Sequence, residues 1–186
     1  VIEKQHEPKP QPKDDAERAQ RTEALLTIFQ QELMAELSKA LEQGGPAEAI
    51  LKCRDVSPEL EKKLSANGLR VRRVSLRNRN PQHAPDAFER TALEAWQKNL
   101  DVGEQVLKPV TQRTADGYRV VQAIRIPGPQ CLKCHGTLGE PEEIDAATSE
   151  KLKALYPQDK ATGYRLGDLR GAFSVIWMDE RKERPE

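Results

Sequence analysis

An α+β domain, a small antiparallel sheet with helices packed on it, is predicted by three features of this 186-residue chain. Apolar residues recur at helical spacing from Asp14 to about Leu41 and again after Pro46. Four β-rich runs follow, two of them joined by a hairpin signal, with no βαβ alternation. A close cysteine pair beside a histidine, Cys131-Leu132-Lys133-Cys134-His135, comes late, with β-rich runs on both sides.

Each element has a local warrant. Residues 1–13 (VIEKQHEPKPQPK) are rich in Pro, Lys and Gln and read as an extended linker preceding one domain over 14–186; His6 is solvated there. Leu26, Phe29, Leu33, Leu37 and Ala40 lie at spacings of three and four, one stripe of a long helix that Gly44-Gly45 stops. That stripe suits either the domain's own surface or a second copy, and Met34 at its border reads as filler. Pro46 fits the first turn of a second helix. There Ala49, Ile50 and Cys53 share an inward face. Ser57-Pro58 reads as the cap and first position of a third short helix, closed by Asn67-Gly68.

Leu69 to Leu76 is the first strand, broken at Asn78-Arg79-Asn80-Pro81. Asp86 caps a helix with Phe88, Ala92, Trp96 and Leu100 on one side. Val106–Val110 and Tyr118–Ile126 form a hairpin across Ala115-Asp116-Gly117. Pro127-Gly128-Pro129 delivers the chain into a loop bearing the cysteine pair. Glu142 to Leu155 is helical, and Gly163, Gly167 and Asp168 mark a loop. Gly171 to Met178 reads as a central strand, the charged run Arg181–Arg184 as a frayed end, and no internal repeat is found.

Composition narrows the function. Thirty basic and 30 acidic residues balance, so no global field favours nucleic acid or an anionic membrane surface. Only 37% of residues are hydrophobic and 4% aromatic, a thin core supply that a buried prosthetic group would supplement. No run approaches the ~20 apolar residues of a membrane span.

Two thiols three positions apart with a histidine directly after the second form the signature of covalent c-type haem attachment. Cys131 and Cys134 add across the two vinyl groups on one porphyrin edge. The imidazole of His135 reaches the iron as proximal ligand. With 3 Cys and 3 His in the chain, a chance match is on the order of one in a thousand. One haem c is therefore expected. Its attachment outside the cytoplasm implies a periplasmic or other extracytoplasmic setting, with an export signal or anchor removed.

Cys53 is the cysteine left over. From its helix position alone it is either an inert structural thiol or the sixth iron ligand. Arg72, Arg73, Arg77 and Arg79 form the densest cationic cluster, read as a solvated strand face or as partners of the haem propionates. His83, after Pro81, is a weaker candidate for a distal ligand.

Taken together, these residues resemble the single-haem, PAS-like proteins and sensor ectodomains long known only as a domain of unknown function and first seen structurally in a cyanobacterial haem protein. The resemblance rests on Cys53, on Arg73-Val74-Ser75-Leu76 leading to Arg79-Asn80-Pro81, and on Pro85-Asp86-Ala87-Phe88-Glu89. It continues through Cys131 to Gly136, Tyr156-Pro157 with Asp159, Gly163-Tyr164 with Gly167-Asp168, and Arg170-Gly171-Ala172-Phe173-Ser174-Val175. It spans roughly residues 20–180. The resemblance implies a PAS-like sheet, thioether anchors at Cys131 and Cys134, a proximal His135 and a distal Cys53.

A thiolate ligand favours ferric iron and a low potential. The expectation is redox or small-gas sensing rather than catalysis, with a low-potential electron carrier as the alternative and a redox protein or diatomic gas as partner. A peroxidase or oxide reductase would need an open iron, which Cys53 would block. A zinc site from Cys53, His83, Cys131 and Cys134 would leave His135 without a role. A thioredoxin-like pair lacks its βαβ setting.

Overall fold

The computed structural model describes residues 12, 14–65, 68–140 and 142–179. The linker reading apart from Pro12, His6, the Asn67 half of a helix stop and the charged end at 181–184 all lie outside them.

The first helix, α1, runs Asp15–Leu64. Asp14 caps it by accepting the Glu17 N–H at 2.8 Å, and Asp15 and Glu17 complement the dipole of the first turn. Gly45 departs from helical geometry at φ 70°, a left-handed value that glycine adopts without strain, and Pro46 restarts the helix. The expected stop is thus a kink. No third helix begins at Ser57-Pro58, and both residues continue α1. The Ser57 hydroxyl accepts a hydrogen bond from Arg73 instead of capping. Leu60 is buried beside Val56 and Leu64 against the sheet. That burial outweighs the ~3 kcal/mol penalty of an interior proline.

Four strands form one antiparallel sheet in the order β1-β4-β3-β2, with β1 at Leu69–Val74, β2 at Val110–Thr114, β3 at Gly117–Arg125 and β4 at Leu169–Met178. The central β4 pairs Val71 with Val175 on one side and Val120 with Val175 on the other. In β2, Val106 stays 65% exposed and the strand starts only at Val110. The carbonyl of Lys108 is taken by the Trp96 indole N–H at 3.1 Å, which holds the preceding segment off the ladder. Thr114 pairs with Gly117, so the turn is Ala115-Asp116 and Gly117 already belongs to β3. Its glycine is needed because the Trp177 carbonyl sits where a Cβ would be.

Helices cover both faces. On one face Leu26, Phe29 and Leu60 of α1 pack on Val71, Phe173, Val175 and Trp177. The Phe29 and Phe173 rings meet edge to face at 5.0 Å. The stripe expected for α1 therefore faces the chain's own sheet at Leu26 and Phe29. On the other face α2 (Ala87–Asp101) sets Ala92, Leu93 and Trp96 against Val74, Val121 and Ala172. Asp86 and Glu89 form the expected N-terminal cap reciprocally, at 2.9 and 2.8 Å. Among the described residues no helix is long and apolar enough to cross a membrane.

Two short helices close one end. The cysteine pair lies not in a loop but on α3, Pro129–His135. The α4 helix spans Ala146–Leu155, starting after the Glu142 expected because Asp145 accepts the Thr148 N–H at 2.7 Å and caps it. A one-turn 3₁₀ helix at Pro81–His83 links β1 to α2.

Candidate functional site

The site forms where the C-terminal half of α1, α3, α4 and the segment before β4 meet. Pro129 suits the first position of α3, and one turn separates Cys131 from Cys134. Cys131 packs against Ile126, Ala161 and Tyr164. Cys134 packs against Ile50 of α1 with Ile144 and Leu152. The two thiols thus address neighbouring apolar clusters along one helix edge, and both are free.

His135 is oriented from outside α3. Its Nδ1 lies 2.8 Å from the Ala161 carbonyl oxygen. A carbonyl only accepts, so Nδ1 carries the proton and Nε2 presents its lone pair. Residues 161–164 run along the helix end, with the Tyr164 N–H donating to the His135 carbonyl at 2.9 Å and the Gly163 N–H to that of Gly136 at 2.6 Å. The Tyr164 ring stands edge-on to the imidazole at 6.1 Å. Burial, then the cations Arg170 and Arg79, hold the His135 pKa well below its usual value, so the imidazole is neutral.

Cys53 arrives from the stretch of α1 whose Ile50 packs with Ile144 and Leu152 against α4 and the Cys134 side chain. Burial pushes the Cys53 thiol up, while Arg73 and Arg79 pull it down. Burial lifts Cys134 to about 11 and raises Cys131 as well. Among the described residues no group of three or more His, Cys, Asp or Glu is close enough to hold a metal ion directly. This matters for the donor set. A zinc site needs its ligands around one ion at about 2.0–2.3 Å. Haem needs two anchors on one porphyrin edge and axial donors on opposite faces, which is a spread arrangement.

The four arginines of the sequence cluster separate. Arg72 points to the α2 face, bonding the Ala84 carbonyl at 2.7 Å and the buried Glu89 at 3.1 Å, so it does not reach the site. Arg73 lies on the α1 face, paired with Glu61 at 3.3 Å and stacked over Phe29 at 6.0 Å. Arg79 spans the site, bonding Asp159 at 3.0 Å, the Cys134 carbonyl at 2.5 Å and the Ala161 carbonyl at 3.3 Å. It therefore shares with His135 the carbonyl that orients the ring. Arg77 bonds the carbonyls of Lys160 and Thr162 and lies 4.1 Å from the centre of the Tyr164 ring.

His83 is engaged elsewhere, with Nε2 3.4 Å from Glu61. Burial opposes ionisation of Glu61, but His83 and Arg73 outweigh it and hold the carboxyl below its ordinary value. The sequence reading missed two contributors, Arg170 and the Ala161 carbonyl. Arg170 is the second residue of β4, far from the arginine cluster in the chain, and burial pushes its guanidinium down to about 10. A backbone carbonyl carries no residue signature.

A search of functionally curated proteins finds no match. Among solved structures, the crystal structure of the cyanobacterial haem protein Tll0287 is similar, with 27% identity and a TM-score of 0.66, over 91% of this chain and 99% of that one. The model of the Tll0287-like family matches residues 6–177. With nearly the whole chain matched, and with the antiparallel sheet, α3 and the site end described above, the protein belongs to the Tll0287-like family.

Proposed function

We propose that the protein carries one haem c, attached through Cys131 and Cys134, with His135 Nε2 and the Cys53 thiolate as axial ligands. The observation that carries the reading is the His135 pairing with Ala161, which presents a neutral Nε2 beside two free thiols one turn apart. The haem protein Tll0287, similar over nearly its whole length, supports it. A haem bound here supplies a one-electron redox centre and a site for small ligands.

The chain's own groups do the rest. Ala161 fixes the ring of His135, and Arg79 fixes Ala161. Cys53 rides on the half of α1 that follows the Gly45 kink, so loss or retention of its bond is transmitted along a helix that also covers the sheet. This favours redox or small-gas sensing in an extracytoplasmic compartment. Catalysis is not part of the reading, because Cys53 fills the position an enzyme would keep open. Low-potential electron transfer is the second reading, favoured by the same thiolate, which stabilises ferric iron. Pairing of two copies along α1, where Ile28 is 48% exposed, belongs to the same proposal and is checked by sedimentation.

The test is low-temperature EPR with visible spectra of the ferric protein, beside Cys53→Ala. A narrow low-spin signal lost in the variant supports the ligand set. Identical spectra would overturn it. Carbon monoxide binding by the reduced protein then separates sensing from plain electron transfer.

A further inference from the structure

Arg77 and Arg170 differ from the other arginines around the site, since among the described residues neither has a carboxylate at ion-pair distance. Arg77 donates only to the Lys160 and Thr162 carbonyls. Arg170 donates through Nη1 to the Ser75 hydroxyl at 3.1 Å and the Arg77 carbonyl at 3.3 Å. Asp159, an acid whose charge reaches Arg170, is bonded to Arg79. Both guanidiniums lie over one ring, Tyr164, at 4.1 and 5.5 Å. Stacking offsets part of their mutual repulsion but supplies no counter-charge.

Between them the fold leaves a cavity of about 60 Å³ lined by Ser75, Arg77, Tyr164, Arg170, Leu93 and Gln97. That volume is far too small for a macrocycle and suits a group of a few heavy atoms. Tyr164 also faces the ring of His135. Arg170 is the cation that acts most strongly on that imidazole. Of the four arginines in the sequence cluster, Arg72, Arg73 and Arg79 have carboxylates of their own in Glu89, Glu61 and Asp159. Among the described residues Arg77 is the one member of that cluster with no carboxylate partner.

We propose that Arg77 and Arg170, stacked on Tyr164 beside the Ser75 cavity, form a seat for one carboxylate, and that this carboxylate is a propionate of the haem carried by His135. The proposal rests on the haem reading above. A carboxylate there accepts from the remaining guanidinium N–H groups of both arginines, in the forked geometry that guanidinium favours. It also cancels the charge that Tyr164 alone leaves unbalanced. A small free carboxylate has the same chemistry, and the experiment separates the two sources.

The experiment compares wild type with Arg170→Gln, Arg77→Gln and Arg170→Lys. A pyridine haemochrome spectrum first establishes covalent haem in the wild type. The midpoint potential is then followed against pH, with the propionate bands in resonance Raman. Loss of either guanidinium is expected to raise the propionate pKa by about one unit or more, shifting the pH-dependent part of the potential upward by that amount. Arg170→Lys, which keeps the charge but not the fork, restores the profile only in part. Axial-ligand spectra stay unchanged throughout. Arg77 is exposed, so Arg77→Gln reports even where Arg170→Gln fails to fold. Wild-type profiles and bands in both glutamine variants would overturn the seat. If the wild type carries no covalent haem, the haem reading falls separately and acetate becomes the probe. Acetate raising the Tm of wild type but not of Arg77→Gln or Arg170→Gln keeps the seat as a free-carboxylate site. No acetate effect overturns it.

Discussion

The α2 face of the sheet and the α3–α4 end hold their charges in opposite ways. Beneath α2, Glu89 is 1% exposed and accepts from Arg72 and Arg119, each at 3.1 Å, and from the Asp86 N–H. That network closes on itself. At the α3–α4 end Arg73 and Arg79 have one carboxylate apiece, while Arg77 and Arg170 rest on neutral oxygens and Tyr164. Packing differs in the same direction. Among the described residues the two sheet clusters hold seven buried residues each, and the two clusters around Cys131 and Cys134 hold three each. The sheet with its covering helices is a self-sufficient scaffold, whereas the site end is thinly packed and rich in cations. Such an end suits a flat apolar group that bears carboxylates.

The contrast can be broken in graded steps. The largest effect is expected from Cys131→Ala with Cys134→Ala, which removes both thioether anchors of the proposed haem. Amide exchange in α3 and α4 should quicken by orders of magnitude while β1, β3 and β4 keep their protection. An even change across both regions would erase the distinction. Phe29→Ala strikes the scaffold instead and should cost about 3–5 kcal/mol in urea unfolding, through the cavity left against Phe173.

Arg79→Gln takes the cation from Asp159, which keeps the Ala161 N–H at 2.7 Å but lies in a poorly solvated place, and should cost about 3 kcal/mol. It should also alter the haem spectrum through the Ala161 carbonyl, which a mutation in the scaffold would not do. Gly117→Ala forces a Cβ onto the Trp177 carbonyl and should cost about 1–3 kcal/mol without touching the spectrum.

The smallest effect concerns pH. The folded-state pKa of Glu61 is depressed, so its contribution is fully present above the ordinary value of 4.5 and is lost as pH falls through the lower folded value. Glu61→Gln should remove that acid-side step from the stability profile. An unchanged profile would mean that His83 and Arg73 do not hold this carboxylate in solution.

Much of this was legible in the chain. Asp86 ahead of a stripe of Phe88, Ala92, Trp96 and Leu100 announces a capped helix. The run from Gly171 to Met178 is apolar enough to be a central strand, because a strand covered on both faces needs no polar alternation. Cys131, Cys134 and His135 stand out because covalent haem attachment, as proposed above, demands that spacing. Other readings failed for physical reasons that local sequence does not carry. Ser57-Pro58 looks like a helix start, but packing of Leu60 on the sheet keeps α1 going. Gly117 looks like a turn residue, but a neighbouring strand's carbonyl is what requires it.

The sequence by itself determined the α+β class, the α2 cap, the central β4 and the chemistry offered by the cysteine pair with its histidine, since each depends on residues within a few positions of one another. Only the tertiary structure decided which arginines share a face, that Ala161 orients His135, that the Cys53 end of α1 packs on α3 and α4, and that Arg170 joins Arg77 at Tyr164. Those relations join residues far apart in the chain. Sheet register and helix packing bring them together, and no local pattern encodes either.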